Sequence, residues 1–169
     1  MKKKSPIPTF TNNMSYNPKV GLPQDIFYFV SAHTPLVCID LLIKTNDGIL
    51  LTWRSDKFYG PGWHIPGGII RFKEKIEVRI KKTLRNELSV KLNSYSESPI
   101  DFNEQFNPKR NIRGHFIALL YKCSIDKNPP EKIRYKSNTK INGTWKWHNS
   151  FPKNMIKQHQ IYKKYFKDF

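Results

Sequence analysis

Two apolar runs meet across an Asp-Gly step, and no other feature of the chain restricts its folding as much. Residues 35–43 read Pro-Leu-Val-Cys-Ile-Asp-Leu-Leu-Ile and residues 49–54 read Ile-Leu-Leu-Thr-Trp-Arg, with Asn46, Asp47 and Gly48 between them. Short runs rich in branched side chains are strand formers, and Asp-Gly between two of them is a strong local signal for an antiparallel hairpin. The first strand is apolar almost throughout, so it belongs inside a sheet covered on both faces.

The rest of the chain supplies that cover. Pro23 opens a helix expected through Ala32, and after a loop over 55–62 the segment Trp63-His64-Ile65-Pro66-Gly67-Gly68 ends in two glycines suited to a sharp turn with positive φ. A helix is expected over 74–88, then strands over 90–92, 100–105 and 114–125. Residues 127–142 read as a long loop and 144–147 as a short strand. A closing helix is expected over 152–166, with Pro152 in its first turn. The fold class is α/β of the α+β type, a mixed sheet flanked by helices.

Residues 1–20 are polar and proline-punctuated and are expected to form a flexible N-terminal arm, leaving 21–169 as a single domain. With 169 residues and 38% hydrophobic content, the chain builds one core but not two. No stretch approaches the roughly 20 apolar residues of a membrane span, and Met1-Lys2-Lys3-Lys4 does not lead into an apolar signal core, so a cytoplasmic protein is expected. Cys38 and Cys123 each sit in an apolar stretch and are expected to be buried thiols rather than a disulfide. The formal charge of +17 suits a phosphate-rich partner. Its lysines are nevertheless spread widely, without interleaved aromatics, so solvated surface is preferred over nucleic-acid binding.

The chemistry concentrates in the helix after the two glycines. Projected at about 100° per residue with Ile76 at zero, Glu87 falls at about 20° and Ile80 at about 40°, with Leu84 and Leu88 further round the same stripe. A carboxylate among core positions must be protonated, paired with a cation, or bound to a metal at the stripe's edge. Periodicity leaves those three open. Glu74 and Glu77 lie in the first turn, where the helix dipole accounts for them.

Gly68, five residues, Glu74, and a helix ending in Glu87-Leu88-Ser89-Val90 resemble the Nudix box. In that register Lys82, Thr83, Asn86 and Glu87 stand where the common pattern has Arg, Glu, Glu and Glu, and Ser89 replaces a final glycine. The GDP-mannose mannosyl hydrolase branch similarly keeps only the last glutamate. Likeness to that branch extends over about 25–166, through Thr34-Pro35-Leu36-Val37 with Asp40, Leu50-Leu51 with Arg54, Trp63, Pro66-Gly67-Gly68, His115 and Trp147.

The resemblance implies an α/β/α sandwich and hydrolysis of GDP-mannose to GDP and mannose, with water attacking the anomeric carbon. It implies a divalent ion, Mg2+ or Mn2+, held by Gly67 and Glu87, a catalytic set of His115 as base with Arg54 and Asp40, and diphosphate binding by Arg54, Lys82 and Arg71. Homodimers are common in the resembled branch. The chain departs from the pattern at Ile69, where an arginine is usual. Two alternatives stand beside this expectation: a conventional Nudix pyrophosphohydrolase of a nucleoside diphosphate derivative, and an inactive Nudix domain that binds a nucleotide or RNA.

Overall fold

The computed structural model describes residues 16–56, 58–137 and 140–167. Most of the expected N-terminal arm lies outside the described residues. The elements run α1 (Gln24–His33), β1 (Leu36–Thr45), β2 (Gly48–Arg54), β3 (Gly62–His64), β4 (Gly67–Ile69), α2 (Ile76–Thr83), β5 (Leu92–Tyr95), β6 (Asp101–Phe106), β7 (His115–Ile125) and β8 (Trp145–His148). The expected hairpin forms with Asn46 and Asp47 as its turn. Gly48 is required twice over, by its φ of 121° and because a Cβ there would lie 2.3 Å from the His148 carbonyl oxygen.

The strands form one mixed sheet in which β1 runs parallel to β7 while the remaining pairs are antiparallel. What creates a site is that β1 and β2 stay together only at the turn, through Lys44 with Ile49 and Thr45 with Gly48. Beyond it they part. β4 takes the freed edge of β1, pairing Cys38, Ile39 and Asp40 with Ile69, Gly68 and Gly67, and β3 takes the edge of β2. The link from β3 to β4 crosses the fork, where the Leu41 amide donates to the Pro66 carbonyl at 2.8 Å.

Side-chain alternation along β1 and β2 divides the core into two layers. Ile39, Leu41, Ile43 and Leu50 pack with Ile80, Leu84 and Leu88 of the helical segment. Leu42, Ile49, Leu51 and Trp53 pack with Met155, Tyr162 and Phe166 on the other face. Each of these side chains is essentially removed from water, and fully burying one contributes roughly 1.5–3 kcal/mol. The α/β/α sandwich is therefore present.

Four local expectations change. Gly67 and Gly68 are not at positive φ; among the described residues the glycines in that region are Gly48 and Gly143. They are instead strand residues whose missing side chains permit close approach, since a Cβ on Gly67 would lie 2.3 Å from Asp40 Oδ1. The helix expected over 74–88 is α-helical only to Thr83 and continues as a π turn, Leu84–Leu88, closed by Ser89 in the left-handed region at φ 56°. Such widened turns recur at functional sites, and this one carries Glu87. The closing helix is a 3-10 segment, Lys157–Phe166, that begins five residues after Pro152. Strand β5 also begins at Leu92 rather than Val90. Both cysteines are free, Cys123 buried and Cys38 partly so.

Candidate functional site

The fork between β1 and β2 opens into a cavity of about 350 Å³ whose wall includes Asp40, Thr52, Arg54, His64, Gly67 and Glu87. The hairpin supplies three of these by parity: Asp40 on β1, and Thr52 and Arg54 two residues apart on one face of β2. Glu87 reaches the same space from the π turn, accepting a hydrogen bond from the Gly67 amide at 3.4 Å.

Burial raises the Asp40 carboxyl to about 7, against the opposing influence of the Tyr162 hydroxyl and Arg54. Tyr162 donates to Asp40 Oδ2 at 2.5 Å, and His159 Nε2 stands 3.9 Å from the same oxygen. Burial raises Glu87 further, to about 8; the Gly67 amide and Arg54 act to lower it and the nearby Asp40 to raise it. Among the described residues neither carboxylate forms an ion pair with a lysine or arginine. Arg54 lies close enough to act on both, but its Nε donates to Asp56.

The histidines beside these acids are neutral. His64 Nδ1 contacts the Ile65 carbonyl at 2.9 Å, and a carbonyl only accepts, so Nδ1 carries the proton. Burial lowers His64 to about 4, which leaves Nε2 bare to accept from the Thr52 hydroxyl at 3.0 Å. It is burial that favours a protonated Glu87, against the Gly67 amide, Arg54 and Thr52, which act to lower it. His159 Nδ1 accepts from the Ile65 amide at 3.0 Å, and burial holds this ring well below the usual imidazole range.

The remaining residues expected at the site lie elsewhere. Lys82 Nζ is 2.9 Å from Glu74 Oε1 on the outer side of α2, and the Arg71 amide donates to Glu74 Oε2 at 3.0 Å; neither side chain lines the cavity. His115 Nε2 pairs with Glu104 Oε1 at 2.9 Å, and it is its neighbour Phe116 that faces the cavity. Parity along β7 separates these two side chains. Sequence reasoning missed Thr52, His64, His159 and Tyr162. The spacing of Thr52 from Arg54 gave a usable signal for the first, whereas the others depend on tertiary contacts.

Two hard carboxylates lacking a basic partner suit a divalent cation with oxygen ligands. Among the described residues no group of three or more His, Cys, Asp or Glu side chains is positioned to hold a metal. Glu87 would therefore share the ion with backbone, water or substrate oxygen, as Mg2+ commonly does, with Asp40 beside it.

Comparison with known proteins fixes the architecture. The MutT protein of Methanosarcina mazei Go1 superposes with a TM-score of 0.55 at 16% identity, covering 79% of this chain and 94% of that one. An ADP-ribose pyrophosphatase of Streptococcus suis 89-1591 gives 0.53 at 14% identity, over 79% and 89%. A MutT NUDIX hydrolase of Burkholderia pseudomallei gives 0.50 at 20% identity, over 58% and 74%. The chain has the Nudix fold. In sequence it is similar to the low-salt glycan biosynthesis protein Agl8 of Haloferax volcanii, 26% identical over 133 residues that cover 76% of this chain and 84% of the relative. No family model matches the chain. Among the described residues no helix of this Nudix-fold chain is long and apolar enough to cross a membrane.

Proposed function

We propose that the chain is a divalent-metal-dependent hydrolase of a sugar nucleotide, with GDP-mannose the leading substrate, that releases GDP and free mannose. The observation that carries this reading is the pair Asp40 and Glu87, one buried and one partly buried carboxylate lining one cavity beside Arg54 and without a lysine or arginine ion pair among the described residues. Catalytic carboxylates need this combination of partial burial and incomplete neutralisation. The similarity to a Haloferax protein named for low-salt glycan biosynthesis further supports the reading.

Glu87, with Gly67 beside it, would hold Mg2+ or Mn2+, and the ion would supply positive charge to the departing diphosphate. Arg54 would clamp that diphosphate through the guanidinium nitrogens that Asp56 does not use. Water would attack the anomeric carbon, forming a new C1–O bond as the bond to the diphosphate oxygen breaks. Asp40, raised to about 7, is matched to accept the proton that water loses, while Tyr162 steadies its Oδ2. His115 faces Glu104 instead, so Asp40 replaces it as the base in this account.

Cleavage at phosphorus is less favoured, because the helix that would carry several metal-binding carboxylates offers only Glu87. Thr83 is buried against Gly68 and Asn86 is exposed. Incubation with GDP-mannose and Mg2+ in 18O-labelled water tests the reading. GDP and mannose carrying the label in the sugar are expected. GMP with mannose 1-phosphate would establish a pyrophosphohydrolase instead, and no turnover of any sugar nucleotide would leave a binding domain.

A further inference from the structure

The wall of the cavity facing Asp40 and Glu87 carries an imbalance of donors. Two buried N–H groups have no hydrogen-bond acceptor among the described residues and belong to residues that line the cavity: Gln105 Nε2 and Arg113 Nε. Buried donors are normally satisfied, and leaving one unpaired costs free energy. Two beside the Arg54 guanidinium call for a ligand presenting several acceptor oxygens.

Both groups come from the β6–β7 hairpin, which the sequence gives little reason to place at the site. Its loop is self-contained: the Asn107 amide donates to the Gly114 carbonyl at 2.7 Å and the Arg110 amide to the Asn107 carbonyl at 3.1 Å. A Cβ on Gly114 would lie 2.4 Å from the Arg110 carbonyl oxygen, so glycine permits the closure. Arg113, just before it, sits in the left-handed region at φ 52°, a conformation that a non-glycine residue keeps only where its surroundings impose it.

Those surroundings are aromatic. The Arg113 guanidinium lies 4.8 Å from the Phe58 ring centre, 5.6 Å from Phe27 and 5.7 Å from Tyr59, and the Tyr59 hydroxyl donates to the Arg113 carbonyl. Arg54 stands 5.3 Å from the Tyr59 ring on the same wall. The two guanidinium groups are close enough to repel, and burial together with neighbours that include Arg54 lowers the Arg113 pKa. Two like charges directed at one cavity are stabilised when an anion lies between them. Arg54 and Arg113 are the arginines of that wall and no lysine is among the described lining residues, whereas Lys82 and Arg71 lie with Glu74.

We propose that Arg113 is the second diphosphate-binding cation of this cavity, acting beside Arg54 with Gln105 as a neutral donor on the same wall. Ile69, also on the wall, brings no charge. This inference rests on the nucleotide-diphosphate reading above. It assigns substrate affinity to a loop remote in sequence from the Gly-Gly helix.

Binding of GDP and GMP in the presence of Mg2+, measured by calorimetry on the full chain, tests it without requiring turnover. Arg113→Ala is expected to weaken GDP about tenfold or more and GMP less, shrinking the preference for the diphosphate, while Arg113→Lys recovers part of the loss. Equal losses for GDP and GMP with the lysine variant no better than alanine, or unchanged GDP binding in Arg113→Ala, would overturn the proposal and leave the hydrolase reading intact. Gln105→Leu, which removes a donor from the same wall without touching the aromatic stack, is expected to weaken GDP by a smaller factor. If the unaltered protein binds neither nucleotide, the hydrolase reading fails, and this inference with it.

Discussion

Glu74, two residues before α2, and Glu87, in the π turn that ends it, bracket one helical segment, yet they live in opposite electrostatic surroundings. Burial acts to raise Glu74, but Lys82, the Arg71 amide and Arg79 outweigh it and hold the carboxyl below its ordinary value. Its side chain is 3% exposed, and Arg79 grips Oε2 through Nε at 2.8 Å and a terminal nitrogen at 2.7 Å. Burial and the nearby Asp40 push Glu87 up to about 8, and the Gly67 amide, Arg54 and the Thr52 hydroxyl do not outweigh them. One glutamate is internally neutralised and the other is not. The contrast separates a carboxylate that holds the fold from one that awaits a cation.

Exchanging the two acids for amides should expose that separation most strongly. Glu87→Gln is expected to lower turnover by about 100-fold or more, because it removes an electrostatic element of the reacting site, while thermal unfolding in the absence of metal stays the same or moves upward. Glu74→Gln should do the reverse. It leaves the nearly buried Arg79 guanidinium without its counter-charge, a change that costs about 3 kcal/mol, so its unfolding midpoint in urea should drop while activity of the folded fraction persists. Equal losses of activity and stability in both variants would erase the distinction.

A smaller effect should appear in the pH dependence of stability without metal. Asp40 and Glu87 have folded pKa values raised from 3.8 and 4.5 to about 7 and about 8. Each stabilises the fold fully below its unfolded pKa and loses that contribution as pH rises through the folded value. His64 and His148, lowered from 6.5 to about 4, act oppositely, with contributions present above 6.5 and lost as pH falls towards 4. The two sets oppose one another below pH 6.5, and above it only the acids remain. Stability should therefore fall by about 2 kcal/mol between pH 6.5 and 8, at roughly 1.4 kcal/mol per unit for one group. Saturating Mg2+ should flatten that decline, and chemical denaturation across the range is the measurement.

The smallest effect concerns the end of the π turn. Ser89 occupies the left-handed region at φ 56°, where glycine is unstrained, so Ser89→Gly should raise stability by about 1 kcal/mol without altering activity. An accompanying loss of turnover would mean that the serine side chain contributes to positioning Glu87.

Much of this site was legible in the sequence, for reasons of short range. The Asp-Gly hairpin located Asp40 and Arg54, strand parity links Arg54 to Thr52, and helical periodicity exposed Glu87 as a carboxylate out of place. The two glycines were recognised for the wrong reason, since close approach to Asp40 rather than positive φ requires Gly67. The remaining members were hidden by distance along the chain. Tyr162 is 122 residues from the Asp40 it touches, and His159 is 94 from the Ile65 amide it receives. Nothing in a local pattern reports such contacts. The 3-10 form of residues 157–166 was equally hidden, because its apolar positions suit either helix and packing against Leu42 and Trp53 decides between them.

Electron paramagnetic resonance of Mn2+ titrated into the protein measures metal binding at Glu87 without requiring any substrate. Stoichiometric binding that is lost in Glu87→Gln and kept in Glu74→Gln is the predicted result. Undiminished Mn2+ binding by the Glu87 variant would contradict the account.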